Sequence, residues 1–186
     1  MNGKKRIEVA LRPWSQDDLP LLERLRGDPA MNVHLGGPEA PEKIRERQER
    51  YYQSSQTGIN PMFVIVVGPE KKSAGSIGYW EKDWLGQQIW ETGWSVLPEF
   101  QGQGIATQAT AIVVERVRAA GKHRFLHAFP SVHNAASNAI CRKADFTLRG
   151  EVDFEFPPGH LMRCNDWFLD LFADVKNNRP FEGANH

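Results

Sequence analysis

Apolar and polar positions change period several times along this chain, and each change marks an element. Residues 7–12 alternate and predict a first strand. Pro13-Trp14 interrupts it. Ser15, with Asp18 in place of the usual Glu, makes a capping-box-like start to a helix carrying Leu19, Leu21, Leu22 and Leu25, which Gly27-Asp28-Pro29 ends. Residues 30–37 are short and mixed. Pro41 suits the first position of a second helix running to about Gln56, with Ile44, Tyr51 and Tyr52 as its few apolar anchors. Its many charges read as a solvated face. From Pro61 the character changes: residues 62–67 form a continuous apolar run, and residues 74–84 and 87–97 complete an antiparallel meander. Ile105, Ala109, Ile112, Val113, Val117 and Ala120 then recur on one face of a helix that stops at Gly121. Residues 125–129 read as a short strand, 134–144 as a short helix, and 147–156 and 161–171 as the last strands. The polar stretch after Asp174 reads as a frayed tail. With no repeat and no second pattern, residues 1–174 are expected to form one domain and residues 175–186 the tail.

The bulk numbers narrow the function classes. The chain has 186 residues, enough to bury a real core. Lys plus Arg and Asp plus Glu are equal at 23 each, whereas a duplex-binding protein carries a basic excess, so nucleic acid is disfavoured as the main ligand. No apolar run is long enough to span a membrane, and Met1 to Arg6 leads into alternation rather than a signal-peptide core. Cys141 and Cys164 stand at no metal spacing and read as reduced thiols of a cytoplasmic protein.

The chemistry concentrates at Val96-Leu97-Pro98-Glu99-Phe100-Gln101-Gly102-Gln103-Gly104-Ile105-Ala106-Thr107, where a strand feeds a helix through a glycine turn. Backbone N–H groups at a helix N-terminus have no intrahelical partner, and the macrodipole adds positive potential, so the spot suits a phosphate. No Gly-Lys-Ser/Thr follows, which excludes a Walker A loop, and the third glycine of a dinucleotide fingerprint is missing.

What remains, Gln101-x-x-Gly104-x-Ala106, resembles the acetyl-CoA-binding segment of the GNAT superfamily of N-acetyltransferases. Glu91-Thr92-Gly93-Trp94 resembles the Glu-x-Gly-Tyr/Trp strand of its RimJ/RimL-like branch, the ribosomal-protein N-terminal acetyltransferases. Asn134-Ala135-Ala136-Ser137 is similar to that branch's Asn-x-x-Ser helix start, followed at the right spacing by Lys143 and Phe146. The resemblance implies an α+β, three-layer fold. Its central sheet is mixed but mostly antiparallel, of about seven strands, splayed in the middle and flanked by helices on both faces. It also implies acetyl transfer from acetyl-CoA, without a metal, to a primary amine of a protein N-terminus or a small molecule, by direct attack. There are two departures. Cys141 stands where many relatives place a tyrosine that protonates the leaving thiolate, and Asp145 replaces the glycine before Phe146, so the helix end is expected to be built differently.

Such a reaction sets four requirements. Backbone N–H groups of Gln103, Gly104, Ile105, Ala106 and Thr107, with Gln101 and Gly102 shaping the turn, suit the pyrophosphate. The amides of pantetheine can pair like a strand alongside Ser95, Val96 and Leu97. An N–H near Leu97 is the expected oxyanion donor. For the base, alternation puts Glu91, Gly93 and Ser95 on one strand face, where apolar neighbours would raise the carboxyl pKa; Glu91 is equally readable as a paired sheet residue. His34 is a weaker alternative, His127 reads as a satisfied interior histidine and His133 as a surface one. Ser137 is a candidate donor to the thiolate or pantetheine, although a first-turn serine is ordinary. Asn134 caps its helix and, in the resembling branch, meets the pantetheine arm. Cys141 is expected to be a packed thiol. Among Trp80, Trp84, Trp90 and Trp94 one or two would line the acceptor cleft, with Arg24, Arg45 and Glu155 as possible reaches. A non-catalytic acyl-CoA sensor of the same fold is the alternative; a nucleotide-phosphate domain is disfavoured. The acceptor and a homodimer are left open.

Overall fold

The computed structural model of the protein describes residues 7–173. Residues 1–6 and the expected frayed tail lie outside the described residues. The strands are β1 (Val9–Pro13), β2 (Met62–Val67), β3 (Lys72–Trp84), β4 (Gln87–Val96), β5 (Phe125–Ala128), β6 (Thr147–Glu155) and β7 (Leu161–Asp170). They form one seven-stranded sheet in the order β1-β2-β3-β4-β5-β7-β6. The helices are α1 (Leu19–Gly27), α2 (Pro41–Thr57), α3 (Ile105–Ala120) and α4 (Ala135–Lys143). Every element expected from the periodicity is present, shifted only at its ends. Among the described residues no helix is long and apolar enough to cross a membrane.

The sheet is antiparallel at every seam but one. β4 and β5 run parallel and pair only at Trp90↔Leu126 and Glu91↔His127. Beyond these residues the strands part, and the reason is local. Pro130 has no N–H for a ladder, and the chain after β5 follows β7 instead. Val132 N–H donates to Arg163 C=O (3.0 Å) and Asn165 N–H to Pro130 C=O (2.9 Å). Among the described residues the β4 edge past Glu91 is thus left without a strand partner on that side.

β2 explains why its sequence is apolar throughout rather than alternating. Phe63, Ile65 and Val67 enter the core under α3, while Met62, Val64 and Val66 enter the one under α1 and α2. Burying an aliphatic side chain of this size contributes about 1.5–3 kcal/mol. A third, smaller cluster of Ile89, Phe129, Phe154 and Cys164 holds the β6–β7 hairpin against the sheet. The entry to α1 is secured by Asp18. It accepts from Ser15 N–H (2.7 Å), Ser15 Oγ (2.7 Å) and both terminal nitrogens of Arg12 (2.9 and 2.8 Å).

The expectation of an unusual end to α4 is corrected. Asp145 itself adopts the left-handed conformation (φ 62°). Asp145 N–H donates to Arg142 C=O (3.3 Å) and Phe146 N–H to Cys141 C=O (3.0 Å), the bond pair that commonly closes a helix at glycine. Aspartate is among the few residues other than glycine that visit this region.

Candidate active site

The parting of β4 and β5 opens into a cleft of about 1340 Å³. Its phosphate end is the turn between β4 and α3. Gly104 caps α3 with φ 75°. The first intrahelical bond runs from Gln108 N–H to Gly104 C=O (3.1 Å), so Ile105, Ala106 and Thr107, which line the cleft, carry N–H groups ahead of the helix ladder. At Gly102 and Gly104 a Cβ would meet no protein atom within 4 Å, so the glycines keep a cradle open rather than making room for packing. The Gln101 side chain donates to Val96 C=O (2.9 Å), tying the turn to the strand end. Gln103 does not line the cleft; its amide donates to Glu99 C=O (2.9 Å).

The ladder between β3 and β4 decides which β4 groups are free. Leu97 N–H donates to Ala74 C=O at 2.8 Å. It is therefore unavailable, and an oxyanion donor near Leu97 has to come from a neighbouring residue. In an antiparallel ladder alternate residues face opposite edges. With Leu97 facing β3, the N–H groups of Trp94 and Val96 face the parting, and Val96 N–H is the open donor nearest the turn. Leu97 itself is a core residue under α1 and α2. Ser95 and Val96 line the cleft as expected.

Glu91 lies at the base of the parting, buried at 8 % exposure, and lines the cleft. Burial raises its pKa above the ordinary carboxylate value. Lys82 and the indole of Trp80 oppose the shift without cancelling it. Lys82 Nζ stands 3.3 Å from Glu91 Oε2 and 4.4 Å from the Phe154 ring centroid. Trp80 is the cross-strand partner of Glu91, and the edge of its ring reaches Gly93: a Cβ there would lie 3.0 Å from Trp80 Cη2. Gly93 thus leaves room for the indole edge on the strand that carries the carboxylate.

His127, next to Glu91 in register, is buried with Nδ1 2.6 Å from Asp166 Oδ1. Asp166 also accepts from Trp84 Nε1 (3.1 Å). The histidine is a satisfied interior group, as the alternation suggested. Ser137 lines the cleft from the first turn of α4, and its N–H donates to Asn134 Oδ1 (3.0 Å). Cys141 is fully buried in the core, and burial pushes its thiol up to about 12. His133 is exposed, and His34 is half-buried at the cleft wall. Trp90 is core, whereas Trp80 and Trp94 line the cleft, as does Glu155.

Two expected acceptor contacts are misplaced. Arg24 pairs with Glu99 (2.8 Å) and Arg45 approaches Glu42 (3.9 Å), both outside the cleft. Arg26 and Arg47 line it instead. The charged face of α2 is accordingly not wholly solvated: Arg47, Arg50, Tyr51 and Ser54, at helical spacing, form one cleft wall. Lys82 was also missed, although the hairpin register makes it a diagonal neighbour of Glu91 once Leu85-Gly86 is read as the turn. Asp166 offered no signal, because its pairing with β5 is wholly tertiary.

Comparison with known proteins agrees with this geometry. Residues 8–147 match the model of the acetyltransferase (GNAT) domain family. No curated protein matches the chain in sequence. Among solved structures, a GNAT-family acetyltransferase from Bacillus anthracis superposes with a TM-score of 0.72 at 16% identity, over 90% of this chain and 96% of that one. A Salmonella typhimurium acetyltransferase that modifies the N-terminal serine of ribosomal protein L7/L12 has a TM-score of 0.68 at 22% identity, covering 87% and 94%. Spermidine N-acetyltransferase from Vibrio cholerae has 0.70 at 18%, covering 88% and 95%. With its seven-stranded sheet parted between β4 and β5 and a family match over most of its length, the chain belongs to the GNAT acetyltransferase family.

Proposed function

We propose that this protein is an acetyl-CoA-dependent N-acetyltransferase of the RimJ/RimL-like type, moving an acetyl group directly onto a primary amine. The observation that carries this reading is the meeting of three features in one cleft: open amides at the start of α3, the unpaired edge of β4, and the buried Glu91. In this reading the amides of Gly104 to Thr107 hold the pyrophosphate of acetyl-CoA, and the empty space at Gly102 and Gly104 fits it. The β4 edge at Trp94 and Val96 pairs with the amides of the pantetheine arm, and Val96 N–H donates to the thioester oxygen as it gains charge.

The acceptor nitrogen attacks the acetyl carbon, a C–N bond forms and the C–S bond breaks. The proton lost by nitrogen passes to Glu91 through water, and the sulfur takes up a proton for which the cleft-lining Ser137 is the candidate donor. A carboxyl of raised pKa is better matched to an amine than an ordinary one. Proteins of similar structure act on a ribosomal N-terminal serine and on spermidine, which supports an amine acceptor as a class.

The test is release of coenzyme A thiol from acetyl-CoA against a panel of peptides and small amines. Turnover with at least one amine, abolished by blocking that amine, is expected. Tight coenzyme A binding with no release against any acceptor would instead make the protein an acyl-CoA sensor.

A further inference from the structure

Three positive side chains stand on the α1–α2 wall, and only one of them is matched by a carboxylate. Arg26 comes from the last turn of α1, and Arg47 and Arg50 from one face of α2; all three line the cleft. Arg47 is largely buried and is held by both oxygens of Glu39 (Nε to Oε2, 2.9 Å). Arg26 is different. Among the described residues no carboxylate pairs with it, and its Nε is shielded from solvent without an acceptor. Arg50 is exposed and likewise has no ion-pair partner among the described residues. The remaining acid at this wall, Glu49, is exposed and accepts from the Gln53 amide (2.7 Å).

Between the guanidinium groups sits a phenol. Arg47 Nη1 lies 3.4 Å from the Tyr51 hydroxyl. Burial alone would push the Tyr51 pKa up; the charges of Arg26 and Arg47 overcome it and bring the pKa below the ordinary phenol value. The wall therefore favours negative charge strongly enough to reverse a burial effect. A guanidinium stays charged at any working pH. Holding one partly buried without a counter-ion costs stability unless something else supplies the anion. The carbonyl end of α1 offsets part of that cost for Arg26. It leaves the guanidinium of Arg26, a cleft-lining residue, without a carboxylate among the described residues.

We propose that Arg26, Arg50 and the hydroxyl of Tyr51 form an anion subsite in the acceptor half of the cleft, and that the acceptor is an amine carrying a carboxylate or phosphate. This inference rests on the transferase reading for its word "acceptor", and deepens it. An anionic oxygen group there balances the guanidinium charges of Arg26 and Arg50, as Glu39 does for Arg47. Polycationic amines are disfavoured at the same wall by like charge.

The full-length chain is assayed for thiol release with matched acceptors. The peptides Ser-Asp-Ala-amide, Ser-Asn-Ala-amide and Ser-Lys-Ala-amide separate a carboxylate from its neutral and cationic counterparts. Aminoethyl phosphate against ethanolamine separates phosphate. A preference of tenfold or more in kcat/KM for an anionic member over its neutral match is expected, and it identifies which anion is used. In Arg26→Gln the ratio falls toward one; Arg50→Gln, on an exposed position, lowers it in the same direction and serves where Arg26→Gln does not fold. Equal rates across charge, a preference for the lysine peptide, or an unchanged ratio in both variants overturns the subsite. If no acceptor turns over, the transferase reading fails separately. The subsite is then judged by thermal shift with inorganic phosphate at fixed ionic strength, under saturating coenzyme A so that the α3 end is filled. Stabilisation lost in Arg26→Gln upholds it, and no stabilisation of the wild type ends it.

Discussion

Replacing Glu91 by Gln removes a charge and little else, and so separates the two roles open to this residue. The side chain is buried, with one cation, Lys82 Nζ, 3.3 Å away. Burial raises its pKa above the unfolded value despite that cation. A carboxyl raised on folding lends stability below its unfolded pKa and loses it as pH rises through the folded pKa, because the ionised form is less well solvated inside than out. At pH 8 the ionised Glu91 is therefore a net burden on folding. The neutral amide relieves it, and Lys82, partly exposed, can turn to water. Glu91→Gln is thus expected to melt at or above the wild-type temperature at pH 8. Loss of a general base, by contrast, slows turnover roughly 100- to 10,000-fold, or about 2.7–5.4 kcal/mol of barrier. The assay pairs thiol release from pH 4.5 to 10 with calorimetry on the same samples. Wild-type kcat/KM should rise with pH through the raised Glu91 pKa, and the variant should lack that limb. An unchanged pH–rate profile refutes the assignment. So does lost activity accompanied by a fall of several degrees in melting temperature, since about 2–4 °C corresponds to 1 kcal/mol in a chain of this size; Glu91 would then be a paired sheet residue.

Other consequences can be checked in parallel. Gly104→Ala forces a side chain into the left-handed region at φ 75°, costing about 1–2 kcal/mol. It also places a methyl group in the cradle, so calorimetric titration should show weaker coenzyme A binding. Asp18 is buried, which pushes its pKa up, but its bonds from Arg12 and Ser15 outweigh burial and hold it below the usual carboxylate range. Its stabilisation is present above the unfolded pKa and lost as pH falls through the lower folded one. Asp18→Asn should therefore cost about 1.5–3 kcal/mol at pH 7 and flatten the acid limb of urea midpoints between pH 5 and 2. Cys141, with its thiol pushed up to about 12, should resist iodoacetamide at pH 7.5 until urea unfolds the chain, and Cys141→Ala should retain turnover. Rapid labelling of the folded protein would contradict its place in the core.

Local pattern and backbone chemistry were enough for much of this molecule. Alternation, helical spacing and the continuous apolar run of β2 located the strands and helices, since each element buries one face or, like β2, both. The glycine turn before α3 was legible as an anion cradle because unpaired amides at a helix start follow from chain geometry alone. The parting of β4 and β5 was expected only through the family resemblance, and which residues face it depends on ladder register. An oxyanion donor was expected near Leu97, and only the ladder excludes Leu97 itself, whose N–H donates to Ala74 C=O. Arg24 and Arg45 were expected at the cleft where Arg26 and Arg47 stand, because a helix's charged residues differ only in which way they point once packed. The pairing of Asp166 with His127 joins residues distant in the chain, that of Lys82 with Glu91 depends on hairpin register, and the unmatched charge of Arg26 depends on what packs around it. Such charges acquire their meaning from burial and partners, which are properties of the packed chain; the elements that carry them are set by the order of residues alone.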